Sequence, residues 1–234
     1  MSERLSLADH PHAPDYGQPH GWKFLLIAEL RQVALRRPWG YALMAIGWVH
    51  LAFFVVCQVV YSAGIRDSWV SLLLWGSEIG AVLVAMRVVA GRDWIKEAPA
   101  VELIVRVWIT FLILSFNVAS LNTLTGWSLD WFKPVWCTLA SSGFATMAWL
   151  FGLRFLFPAF QMYFTGLLMV RFPEWGYMIH GVSWWAALQT LGWDLTHRRE
   201  RLERLAHAPR PFSETEMPEG GSAPSPEALA ASAA

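Results

Sequence analysis

Apolar residues in this chain come in long uninterrupted runs, not in the alternation of a half-buried strand. The first run extends from about Gly40 to Ala63, and the second, after the turn GIRDS, from about Trp69 to Ala90. Each is long enough to cross a hydrocarbon core of about 30 Å as a helix. The basic loop GRDWIKEAP leads into a third run from about Ala100 to Leu121, and NTLTGWSLDWFK then reads as a polar, aromatic-edged turn. From Pro134 to Val170 the chain is apolar for longer than one span requires, interrupted only by Arg154 and Pro158. Two spans are predicted there, about Pro134–Gly152 and Phe155–Val170, followed by the turn RFPEW and a last span from about Gly176 to Trp193. The expected fold class is all-α, a polytopic transmembrane helical bundle of six spans, four long and two short or re-entrant. A re-entrant hairpin over 155–193 is the alternative, and it leaves the C-terminus on the same side.

The flanks have a different character. Residues 1–21 carry His10, Pro11, His12, Pro14, Gly17, Pro19 and His20 and no apolar core, so the expectation is a disordered cytoplasmic tail without a cleavable signal peptide. Residues 22–38 have helix-forming composition and end at Pro38, which suits an interfacial helix. On a helical wheel, however, Lys23, Glu29, Arg31, Gln32, Arg36 and Arg37 scatter around most of the circle, so no clean amphipathic face emerges. The bundle is expected over 39–193 and a charged cytoplasmic helical extension over 194–207, with Arg199/Glu203 and Glu200/Arg204 one turn apart. Residues 208–234, rich in Pro, Ala, Ser, Gly and Glu, read as a disordered cytoplasmic tail.

Composition reinforces this picture. Of 234 residues, 55% are apolar and 15% charged, against about 25% charged in ordinary soluble domains. Lys plus Arg equals Asp plus Glu at 18 each, so no net charge points to nucleic acid or an acidic substrate. The 15 tryptophans suit a membrane protein, because amphipathic aromatics collect at its boundaries. Two cysteines without a CxxC pattern argue against a disulfide framework, structural zinc and thiol redox chemistry, and no metal site is expected.

Charge position sets orientation. Lys23, Arg31, Arg36 and Arg37 precede span one, Arg87, Arg92 and Lys96 surround the second loop, and Arg198, Arg199, Arg201 and Arg204 follow the last span. All three clusters fall on one side, while the other has Arg66, Lys133 and Arg171. Basic flanks are held back from translocation, so both termini are expected in the cytoplasm of a bacterial-type cytoplasmic membrane, with multi-pass topology.

Polar groups inside the spans mark candidate chemistry, since each costs several kcal/mol without a partner or local water. His50 in span one and Glu78 in the oppositely directed span two both fall near the midplane. A carboxylate beside an imidazole there forms a charged pair or shares a proton, as a proton relay needs; structural glue between adjacent helices is the alternative. Cys57 and Tyr61 share the face of His50, and Ser71 that of Glu78. Gly76 and Gly80 form a GxxxG that permits close helix approach. In span three, Glu102, Arg106, Thr110 and Asn117 make one stripe, either a polar lining leading to the His50–Glu78 level or a local salt bridge with interhelical hydrogen-bond partners. His50 and His180 are the candidate ligands for a haem or pigment. His180 stands near the start of the last span, so sharing a haem with His50 would require that helix to be tilted or displaced.

No GxSxG, HExxH, Walker A or dinucleotide fingerprint is present, and no enzymatic activity is expected. The halves share no residue pattern of the kind inverted-repeat carriers show. The leading expectation is a non-catalytic subunit, scaffold or sensor of a membrane complex. A proton-coupled carrier or conduit using His50 and Glu78 is the first alternative, and a haem- or pigment-binding protein the second. Expected partners are the lipid bilayer and other membrane subunits or further copies of the chain.

Overall fold

A computed structural model describes residues 21–65, 68–96, 98–125 and 129–207. The expected tail over 208–234, and the expected tail over 1–21 apart from Gly21, which opens a helix, lie outside the described residues, as do Arg66 and Trp127. The described residues are helical with no strands, in seven α-helices: α1 Gly21–Arg36, α2 Trp39–Ser62, α3 Ser68–Val89, α4 Pro99–Thr125, α5 Leu129–Phe151, α6 Leu156–Arg171 and α7 Gly176–His207. Four segments are long and apolar enough to cross a membrane: Trp39–Ser62, Trp69–Val89, Pro99–Asn122 and Leu153–Arg171. The described residues divide into two units after Arg199. In the second, Arg204 pairs with Glu200 at 3.6 Å.

Glycine and proline set the helix breaks. Gly152 takes φ +117, a conformation that side-chain-bearing residues avoid, and this separates α5 from the one-turn 3-10 helix Leu153–Phe155 that opens α6. The apolar stretch from Pro134 to Val170 therefore folds back on itself, with α5 and α6 as the most closely packed pair. Ser141 Oγ ties the hairpin by donating to the Ala159 carbonyl at 2.8 Å. Pro173 opens a second 3-10 turn ahead of α7.

The core divides into layers. One cluster joins Ala140, Phe144, Ala159, Met162, Trp184, Ala187 and Leu188 of α5, α6 and α7. A second joins Phe54 and Cys57 of α2 to Phe132 and Trp136 of α5 and Tyr177 of α7. Helix α1 packs on α4 and α5, burying Val33 while Phe24 stays exposed. Its one-sided contact accords with the scattered charges, which leave no broad apolar face to bury.

Helices α2 and α7 run antiparallel in close contact. A Cβ placed on Gly192 would stand 2.6 Å from the Gly40 carbonyl oxygen, and one on Gly181 the same distance from Phe54 Cβ. Two glutamines pin this pair. Gln189 donates to the Met44 carbonyl at 2.9 Å, while Gln58 donates to the Glu174 carbonyl at 2.7 Å and accepts from the Met178 amide at 3.2 Å. The GxxxG of α3 plays no such part: among the described residues, a Cβ on Gly76 or Gly80 meets nothing within 4 Å. The expectation of close approach there is corrected, because α3 turns that face outward.

Candidate functional site

The adjacency of α2 and α3 brings His50 Nδ1 against Glu78 Oε1. Both side chains are largely enclosed, at 17% and 11% exposure. The other imidazole nitrogen, His50 Nε2, is buried and has no hydrogen-bond partner among the described residues. One nitrogen of the imidazole is thus anchored by a carboxylate, and the other remains available as a donor or acceptor.

His180 joins this pair. Its ring centroid lies 6.2 Å from that of His50, and its Nδ1 lies 3.0 Å from Cys137 Sγ. The sequence placed these histidines at different depths; the structure corrects that, because the antiparallel α2–α7 register sets Gly181 on Phe54 and carries His180 to the His50 level. Cys137 also approaches Met169 Sδ at 3.2 Å. Both cysteines are free and buried.

Aromatic rings close around the histidines. Phe54 lies 4.7 Å from each imidazole, and Trp184 lies 5.1 Å from His50 and 6.4 Å from His180, centroid to centroid. These rings pack beside the imidazole pair. Among the described residues, no group of three or more His, Cys, Asp or Glu is arranged to hold a metal ion. Trp184 Nε1 and Trp136 Nε1 are buried without a partner among the described residues, as is His50 Nε2. Polar atoms of this kind ordinarily bind ordered water or a small acceptor.

A small cleft is lined by Cys57, Tyr61, Ile65, Ser71, Trp75 and Tyr177. Cys57 and Ser71 stand two turns from His50 and Glu78 on the same helix faces. The faces of α2 and α3 that carry the pair thus also line this cleft.

Helix α4 supplies no such lining, contrary to one expectation. Glu102 and Arg106 pair within the helix at 2.5 Å and are 52% and 70% exposed, and Thr110 and Asn117 are exposed on the same face. The stripe looks away from the bundle, because the opposite face of α4, with Trp108 and Phe111, packs toward the core.

Among the buried polar residues, Lys133 and Gln58 escaped the sequence reading. Lys133, read there as a flanking charge, is 1% exposed; its Nζ donates to the Pro173 carbonyl at 3.1 Å and stands 3.7 Å from the Tyr61 ring centroid. Gln58 was a visible polar interruption in the first apolar run, but its partners come from the far end of the chain. No family model, curated protein or solved structure matches the chain.

Proposed function

We propose that the chain is a six-span protein of a bacterial-type cytoplasmic membrane, with both termini cytoplasmic, and that it conducts protons or couples them to transport through His50 and Glu78. The observation that carries this reading is the enclosed His50–Glu78 contact with His50 Nε2 buried and unpartnered among the described residues. An imidazole held by a carboxylate on one nitrogen passes a proton through the other, and the neighbouring indole N–H groups of Trp136 and Trp184 suit a short chain of water beside it. The cleft lined by Ile65 and Cys57 supports approach from the side opposite the termini. Helices α5 and α7 supply the two crossings beyond the four apolar segments, and the role requires neither a catalytic step nor a haem or pigment.

Proton flux into proteoliposomes under an imposed potential tests the proposal. Flux is expected in the wild-type protein, with at least a tenfold loss in Glu78→Gln and in His50→Gln. Equal flux in wild type, both variants and empty vesicles overturns it.

A second reading, a non-catalytic subunit, scaffold or sensor, is favoured by the exposed polar face of α4, since such a face inside a membrane calls for a covering helix.

A further inference from the structure

The most apolar stretch of α4 buries none of its residues within the chain. Along the middle of its outward face run Arg106, Thr110, Ile113, Asn117, Ser120 and Leu124, all exposed. In hydrocarbon these polar groups differ sharply in how they can be satisfied. Thr110 Oγ1 donates to the Arg106 carbonyl at 2.9 Å, and Ser120 Oγ to the Phe116 carbonyl at 2.9 Å, so both hydroxyls are served by their own helix. Arg106 is neutralised by Glu102 one turn away. The Asn117 side chain has no hydrogen-bond partner among the described residues, although it lies within the segment Pro99–Asn122. A carboxamide offers two donor hydrogens and two acceptor lone pairs, and a bilayer interior supplies nothing to meet them.

We infer that α4 is the contact helix of a two-fold dimer, with a second copy of this chain laid along the Arg106–Leu124 face and Asn117 meeting its counterpart across the axis. A carboxamide is self-complementary: two related by a two-fold axis exchange an N–H···O=C bond in each direction, which a partner of different sequence matches only by carrying its own amide or acid at that depth. The internal Glu102–Arg106 pairing leaves the face without net charge, so a parallel copy meets no repulsion, and each Arg106 can also reach the other copy's Glu102. Thr110 and Ser120 are small enough for the helices to approach closely on either side of Asn117. The inference rests on α4 as a membrane crossing and not on proton movement, so the flux measurement and the one below fail independently.

The test uses the full chain in its own membrane, with Cys57→Ala and Cys137→Ala removing the native thiols. In that background Ser120→Cys and Ile113→Cys are oxidised with copper phenanthroline, with inward-facing Val118→Cys as control. Photobleaching of fluorescently tagged chains in native-membrane nanodiscs counts the copies in parallel. The expected result is a disulfide-linked species of twice the chain mass for Ser120→Cys and Ile113→Cys but not for Val118→Cys, and two bleaching steps. Asn117→Leu should lower the dimer fraction at least tenfold at fixed protein-to-lipid ratio, while Asn117→Gln retains most of it. Single bleaching steps without cross-links overturn the proposal, as does cross-linking at these positions to a product of any other mass.

Discussion

Gly40 and Gly192 meet backbone to backbone where α2 begins and α7 passes it. A Cβ on Gly192 would stand 2.6 Å from the Gly40 carbonyl oxygen and 2.7 Å from Met44 Cγ. This close approach sets the antiparallel register that places Gln189 on the Met44 carbonyl and, farther along, His180 beside His50. Neither glycine belongs to a GxxxG, so the spacing along one helix carried no sign of it.

Gly192→Val should therefore separate the two helices at this point. The expected cost is about 3 kcal/mol, at the upper end for overpacking a close contact. Thermal unfolding in detergent reads it as a lowered midpoint. Gly80→Ala is the control: the added methyl meets nothing within 4 Å among the described residues and should raise or preserve the midpoint, since alanine favours a helix more than glycine does. Equal losses in the two variants would show that the α2–α7 contact is not specific.

Lys133 is enclosed at the start of α5, against the Tyr61 and Tyr177 rings and the Pro173 carbonyl. Lys133→Met preserves much of the volume but removes the charge and its hydrogen bond, at an expected cost of about 2 kcal/mol. Lys133→Arg should not rescue stability, because a Cβ on Gly176 would already stand 2.8 Å from Lys133 Cδ and no space remains for a broad guanidinium. Unfolding midpoints of the three proteins check the ranking; an arginine variant as stable as wild type would contradict the enclosed geometry.

Orientation is open to a direct check at the end of α4. With Cys57→Ala and Cys137→Ala in place, Thr125→Cys should react with a membrane-impermeant maleimide in intact cells. Protection until the cells are lysed would invert the proposed topology and place the Ile65–Cys57 cleft on the cytoplasmic side.

Run length along the chain marks most of the helices, although NTLTGWSLDWFK, read as a turn, is largely helical: α4 continues to Thr125 and α5 begins at Leu129. The runs from Gly40, Trp69 and Ala100 became α2, α3 and α4, and the long stretch from Pro134 broke at Gly152 into α5 and α6, because run length and backbone punctuation are local properties. The sequence by itself also placed His50 and Glu78 at similar depth, since rise per residue converts position into height. Which faces turn inward followed from packing between helices. In a membrane chain both faces of a helix are apolar, so hydrophobic patterning does not distinguish core from lipid. The polar stripe of α4 and the GxxxG of α3 proved to face outward, whereas His180, Gln58 and Lys133 were drawn inward by partners far away in the chain. Those placements follow from helix register and close backbone approach, which arise between helices and are written in no single one of them.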